Sequence, residues 1–347
     1  MEALHQIIER ELSEVMNIVE SYDREFSFVW SGYPVVDHEV FKKRVFKLAE
    51  ENGLYAFITK EGDLFSVRFA FKPEGKKANI KLNILLLIIT FGTTIIAGTL
   101  QRGLNPLHFG NLIHGFPFAI TIMVILGSHE LGHYFAAKRH GVVATLPYFI
   151  PAPSFIGTFG AVISLRSPIP DRKALVDIGA AGPITGFVLS IFAAIIGLKL
   201  STVVQVPEGA LRIGNPLIFS FISHFFFKSI PQGMDVLLHP VAFAGWLGFF
   251  VTGLNLLPVG QLDGGHILYA FFPRIHRIVG YIFIAVLFAL SFIWPGWLVW
   301  AFLLLLFIGV KHPPPMDTVG GLDNKRIIIG WLSLLIFVLT FIPVPFM

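Results

Sequence analysis

FPFAITIMVILGSHELGHYFAAKRHG (residues 116–141) carries His129, Glu130 and His133 at the end of a run apolar enough to lie in a lipid bilayer. Ionisable side chains at that depth are costly, and where they occur they mark function. His129 and His133 stand four residues apart, so on a helix both imidazoles leave one face and can grip a single cation. Glu130 follows the first of them and is placed to take a proton from water beside that cation. With 12 His and 22 Asp plus Glu in 347 residues, this spacing rarely arises by chance. The stretch therefore predicts a metal site built into a membrane helix.

The whole chain agrees with that setting. It is 54% hydrophobic and 14% charged, with a mean hydropathy of +0.73, whereas soluble domains carry about 25% charged residues. A net charge of +4 does not point to nucleic acid, because the basic residues sit at the ends of apolar segments. There are no cysteines, so disulfides and thiolate ligands are excluded and a transition metal must be held by His, Asp or Glu. No secretory signal pattern is expected, since the first apolar span follows an acidic, helix-like segment.

The organisation reads as three parts. Residues 1–71 form a small α+β domain of helix, strand, helix and hairpin: HQIIERELSEVMNIVESY and HEVFKKRVFKLAEEN have helical spacing, and REFSFVWSGYP, LYAFITK and DLFSVRFAF alternate like strands. Residues 72–81 are a basic linker, and residues 82–347 form a polytopic α-helical membrane domain. About seven transmembrane helices are expected there, near 82–100, 114–138, 174–198, 239–257, 278–293, 297–310 and 326–344. LIFSFISHFFF (217–227) is too short to span, and residues 145–168 are apolar but rich in Pro and Gly. Within the latter, IGTFGAVISL reads as a β-hairpin segment embedded in the membrane, tolerated only where protein or a watery cavity satisfies its backbone. Lys and Arg placement puts the N-terminal domain and the metal site toward the cytoplasm, the opposite ends keeping only Arg102, Lys199, Arg212 and Lys228. A multi-pass protein of a prokaryotic plasma membrane is expected.

Two imidazoles and a water leave zinc one protein ligand short. GLNLLPVGQLDGGHILYA (253–270) supplies the best candidate, Asp263, with Asp177 as a rival that helix capping accounts for more simply. Asp263 itself stands where a helix N-cap would. Gly264 and Gly265 permit close approach, and Pro258 breaks the preceding helix. Asn255 either donates to a developing oxyanion or satisfies backbone freed by Pro258. His108, His114, His140, His224, His239, His266 and His276 read as interfacial or core histidines, with His266 also able to orient the Asp263 carboxylate. His312, with the three prolines that follow it, ends a helix.

HELGH followed by NLLPVGQLDGG resembles the site-2 protease family of intramembrane zinc metalloproteases. PYFIPAP, IGTFGAVISLRSPIPDRKAL and a late KHPPP resemble its EGY-like branch. The resemblance covers about residues 114–270 and implies His129, His133 and Asp263 as ligands of one Zn2+ per chain, Glu130 as general base and Asn255 as a substrate-side residue. It also implies a transmembrane protein or peptide as substrate, bound along the 155–165 segment in the bilayer. Gly186 stands where many members have Asn, and no PDZ domain is recognisable. A non-catalytic binder or chaperone of the same fold and a metal-dependent transporter are the alternatives. The intact Glu130 argues against the first, and the lack of a second HExxH-like segment against the second.

Overall fold

The computed structural model describes residues 2–24, 27–73, 79–206 and 212–347. Its first part comprises α1 (Glu2–Ser13), β1 (Met16–Arg24), β2 (Ser27–Pro34), α2 (His38–Glu51), β3 (Leu54–Glu61) and β4 (Leu64–Phe71). The strands make one antiparallel sheet in the order β1-β2-β4-β3. Leu54, Ala56 and Ile58 of β3 and Phe65, Val67 and Phe69 of β4 turn inward onto Ile8, Leu12, Phe41 and Val45 of the helices. The strand period of two and the helical period thus meet on one buried face. Gly62, at φ +60°, makes the tight turn between β3 and β4.

One expectation fails here. The stretch from His5 to Tyr22 is not a single helix: α1 ends at Ser13 and Met16–Arg24 is a strand along β2. Its apolar spacing suits either period, and the backbone partners offered by β2 decide for strand. Of the expected linker, residues 74–78 lie outside the described residues.

The rest is mostly helical. α3 (Ile80–Gln101) is followed by a 3-10 stretch (Phe109–Gly115) and α4 (Phe116–Arg139), then by β5 (Tyr148–Pro151), β6 (Thr158–Val162) and α5 (Arg172–Lys199). β7 (Thr202–Gln205), α6 (Leu217–Phe226), β8 (Met234–Leu237), α7 (Pro240–Asn255) and α8 (Asp263–Phe271) follow. The chain closes with α9 (His276–Leu290), α10 (Gly296–Leu303), a π-helical turn (Leu304–Ile308) and α11 (Asn324–Thr340). This is a helical membrane protein, but seven full-length spans are not found among the described residues. Three helices are long and apolar enough to cross a bilayer: Ile80–Gln101, Phe109–Arg139 and Arg172–Lys199. α7, α9 and α11 have 16, 15 and 17 residues. At 1.5 Å per residue they fall short of a hydrocarbon core of about 30 Å. Pro258 and Pro295 lie just beyond the ends of α7 and α9, where the chain cannot continue as helix. The pairing of β7 with β8 was not foreseen.

α4, α5 and α7 pack together around Phe118, Trp246 and Phe249, all fully buried. α5 and α7 meet backbone to backbone at Gly197, where a Cβ would lie 2.0 Å from the Ala242 nitrogen. The indole N–H of Trp246 donates to the Gly214 carbonyl at 2.6 Å, so the buried ring leaves no donor unpaired. β5 and β6 pair antiparallel, and the run continues as residues 164–166 pair with 143–145. α3 holds this ribbon through Asn83, which donates to the Leu146 and Pro147 carbonyls, and Thr93, which donates to the Gly157 carbonyl.

Residues 316–318 clasp the two parts of the molecule. The Ile58 N–H donates to the Met316 carbonyl and the Thr318 N–H to the Ile58 carbonyl, while Met316 and Asp317 donate to the carbonyls of Ile169 and Pro170. The fully buried Asp317 carboxylate faces His38 Nε2 at 3.1 Å and Lys42 Nζ at 3.3 Å. Lys42 also donates to Asp171 at 2.8 Å, and Asp171 caps α5 through the Ala174 N–H. Burial pushes the Asp171 carboxyl upward, but the bonds from Lys42 and Ala174 outweigh it and hold its pKa below the usual carboxylate range. A depressed carboxyl stabilises the folded state above its unfolded pKa and loses that contribution as pH falls through the folded value. Acid below about pH 4 is therefore expected to loosen the clasp. Asp317→Ala should do so at neutral pH, speeding amide exchange at Ile58 and Thr318 about tenfold or more while leaving the Trp246 region unchanged. Unchanged exchange at those two amides would show that the carboxylate does not hold the clasp.

Candidate active site

α4 is apolar through its first turns and stays helical through Arg139, so His129 and His133 project from one face, 4% and 6% exposed. α7 stops at Asn255, the chain turns through Pro258 and Gly260, and α8 restarts at Asp263. That break brings α8 back against α5, with the Asp263 side chain facing the histidines of α4. Gly264 and Gly265 allow it, since a Cβ at either would lie within 2.4 Å of a carbonyl oxygen of the preceding turn.

Four polar side chains converge at this point. His129 Nε2 lies 3.1 Å from His133 Nε2 and 3.2 Å from Asp263 Oδ2, and His133 Nε2 lies 3.3 Å from Asp263 Oδ1. Asn255 Nδ2 approaches His129 Nε2 at 3.2 Å. His133 Nδ1–H donates to the Ile178 carbonyl at 2.7 Å, which leaves a lone pair on Nε2. An amide donor at Asn255 Nδ2 is likewise compatible with an unprotonated His129 Nε2, whose single lone pair can serve that amide or a metal. Two imidazole lone pairs and a carboxylate facing one another repel unless a cation lies between them. Four ligands about 2.05 Å from zinc in a tetrahedron stand about 3.3 Å apart, and the three donors here are spaced at 3.1 to 3.3 Å. The donor set fits a metal ion. Among the described residues, His129, His133 and Asp263 are the group able to hold one.

Glu130 points to the neighbouring flank of α4, 8% exposed, with the backbone amide of Ile163 beside its carboxylate. Ile163 directly follows β6, so this carboxylate lies at the end of the ribbon edge. Asp263 is the first residue of α8, and the N-cap is Leu262 without a side-chain cap, so capping does not account for the carboxylate. Asp177 is neither ligand nor cap: Arg326 binds it through two nitrogens and His140 approaches at 2.9 Å, while Asp171 caps α5. Asp177 thus ties α11 and the end of α4 to α5.

His266 makes no hydrogen bond to Asp263. His312 Nδ1–H donates to the Pro313 carbonyl at 2.6 Å, so its Nε2 accepts, and His266 Nδ1–H donates to it at 2.5 Å. His312 also stacks on Tyr269. Its part is to join α8 to the segment after the π turn, beyond merely ending a helix.

Sequence reasoning passed over what seats the histidines. A Cβ on Gly179 would lie 2.9 Å from the His266 Cβ, one on Gly182 2.0 Å from His133 Nε2, and one on Gly186 3.0 Å from His129 Nδ1. These glycines, three and four apart, form a bare stripe on α5 against which the cluster is assembled. The spacing was legible in GAAGPITGF; what it faced was not.

A model of peptidase family M50 matches residues 117–293. Among curated proteins, the chain is 33% identical over 237 residues to probable zinc metalloprotease EGY1, chloroplastic, of Arabidopsis thaliana, covering 66% of this chain and 43% of that one. It is 29% identical to EGY2, chloroplastic, of the same plant, covering 67% and 42%, and 29% identical to EGY2, chloroplastic, of Oryza sativa subsp. japonica, covering 74% and 49%. The chain thus spans less than half the length of these relatives. No solved structure matches it significantly. The expected placement in a prokaryotic plasma membrane is overturned by these matches, for the relatives are chloroplastic plant proteins. The family match takes in both sequence segments that converge on the polar cluster and half of the chain, and the chain belongs to peptidase family M50.

Proposed function

We propose that the chain is an intramembrane zinc metalloprotease that hydrolyses peptide bonds in or near transmembrane segments of other membrane proteins, as in regulated intramembrane proteolysis. The observation that carries this reading is the convergence of His129, His133 and Asp263 at tetrahedral donor spacing with the Glu130 carboxylate on the adjoining flank. The relatives' names, which call them probable zinc metalloproteases, support zinc as the metal. In this reading residues 1–71 are a separate domain on a linker of residues 72–81, residues 82–347 are the membrane protease, and residues 114–270 are its catalytic core. The β5–β6 ribbon is embedded in the membrane, and the shorter helices complete about seven passes.

His129 and His133 supply their Nε2 atoms and Asp263 its carboxylate; the Ile178 carbonyl fixes the His133 ring in the required tautomer. Zinc, when bound there, lowers the pKa of water toward 7 and polarises a carbonyl. Glu130 takes the proton from the attacking water and returns it to the leaving amine nitrogen. Asn255, beside the ligand cluster, donates an amide N–H to the oxygen that gains charge. A helical substrate shields its own peptide bonds, so it must unwind. The edge of β6 not occupied by β5 offers backbone partners to an unwound segment and leads to Glu130.

Two expected outcomes test this. Glu130→Gln should lower cleavage of a transmembrane reporter about a thousandfold while the purified chain keeps one zinc by mass spectrometry. Near-normal turnover would remove Glu130 as the base. Asp263→Ala, and Gly182→Val through displacement of the His133 ring, should each lose most of the zinc. Full zinc retention in Asp263→Ala would remove it as a ligand.

A further inference from the structure

A cleft of about 550 Å³ opens between the outer face of the β3–β4 pair and residues 165–168 of the membrane part. Tyr55, Phe57 and Arg68 line it on the sheet side, and Leu165, Arg166 and Pro168 on the other. Strand register sets Phe57 directly opposite Arg68, and the guanidinium carbon stands 4.6 Å from the Phe57 ring centre. Lys72 lies over Tyr55 in the same way, at 5.4 Å. The outer sheet face thus presents two aromatic rings with cationic side chains laid beside them. Among the described residues no carboxylate lines the cleft, and neither Arg68 nor Arg166 makes an ion pair.

The cleft also lies on a path from the catalytic carboxylate. The amide of Ile163 adjoins Glu130, and the same extended run reaches Arg166 three residues later, about 10 Å on at strand rise. This run is paired on one side, by β5 and then by residues 143–145, and has no strand partner on the other among the described residues. A chain lying along that open edge enters the cleft within a few residues of the bond that Glu130 acts on.

Resting on the protease reading above, we propose that this cleft binds the juxtamembrane flank of the substrate, and that Arg68 and Arg166 select an acidic one. The two guanidiniums pair with Asp or Glu carboxylates of the flank, while Tyr55 and Phe57 pack against its aliphatic parts. Lys and Arg commonly flank transmembrane segments, and such flanks are repelled here. The cleft thereby discriminates by repulsion as much as by attraction, and the N-terminal sheet acts as a reader of substrate.

The test is a binding measurement on the full chain in uncharged detergent, made with Glu130→Gln so that nothing is cleaved. The probes are two fluorescent transmembrane peptides alike except for a four-residue flank of Asp and Glu in one and of Lys in the other. The acidic flank should bind about tenfold more tightly, the sum of two partly solvated ion pairs. Arg68→Gln with Arg166→Gln should erase that preference, and Arg68→Glu with Arg166→Glu should reverse it in favour of the Lys flank. The reversal requires a folded chain, so loss of binding through misfolding is not mistaken for support. Equal binding of both flanks by the parent chain, or an acidic preference kept by the charge-reversed chain, overturns the proposal. So does a cleft that captures phosphatidylglycerol vesicles through these arginines while ignoring the peptide flank. Because no turnover is involved, failure of the protease reading leaves the flank preference standing. Failure of the present inference leaves cleavage standing without a preference.

Discussion

Ionised and metal-binding groups are expensive to hold in an apolar interior, and they persist there only when their charges and lone pairs are satisfied together. The centre of this molecule is arranged around that constraint. Two imidazoles and one carboxylate from helices far apart in sequence turn their donor atoms to one point, at separations that a single tetrahedral cation reconciles. Much of the surrounding architecture provides for the approach. α7 breaks after Asn255, α8 restarts on Asp263, and α5 offers Gly179, Gly182 and Gly186 where side chains would collide with the cluster.

The need for room explains why the membrane part is uneven. Three long helices supply the frame, two of which carry the histidines and the glycine stripe, whereas the third ligand comes from the short α8 after the bend at Pro258. A glycine stripe is normally a way for helix backbones to pack closely in lipid. On α5 it does this at Gly179, where α8 arrives, and at the next two positions it accommodates imidazole rings instead. Gly186, a departure from the family pattern on sequence, is one of these, and its missing side chain leaves space beside His129 Nδ1.

The N-terminal sheet is tied to this frame by main-chain bonds through residues 316–318 and by the buried Asp317 with His38 and Lys42. Lys42 continues the connection to Asp171, which caps the helix carrying the glycine stripe. A chain of polar contacts therefore runs from the domain to the start of α5. Tethered in this way, the outer sheet face lies opposite residues 165–168, at the end of the strand that leads to Glu130.

Local chemistry carried a good deal of this into the sequence. His129, Glu130 and His133 lie within one helical turn, so their shared placement follows from helix geometry alone. Pro258 and the glycines after Asp263 announced a break before the third ligand, and the alternation in β3 and β4 announced a hairpin. The sequence by itself determined the membrane setting, the metal-binding face of α4 and the candidacy of Asp263, because each rests on periodicity, hydropathy or a breaker residue. Tertiary structure alone decided what depends on partners distant along the chain. Met16–Arg24 became a strand only because β2 lies beside it, and Asp177 was claimed by Arg326 and His140. His266 turned to His312, and seven apolar stretches became three long helices with several shorter ones. An apolar pattern says that a segment is buried, and a carboxylate or imidazole says that it needs a partner. Which partner it meets is set by the closure of the chain in space.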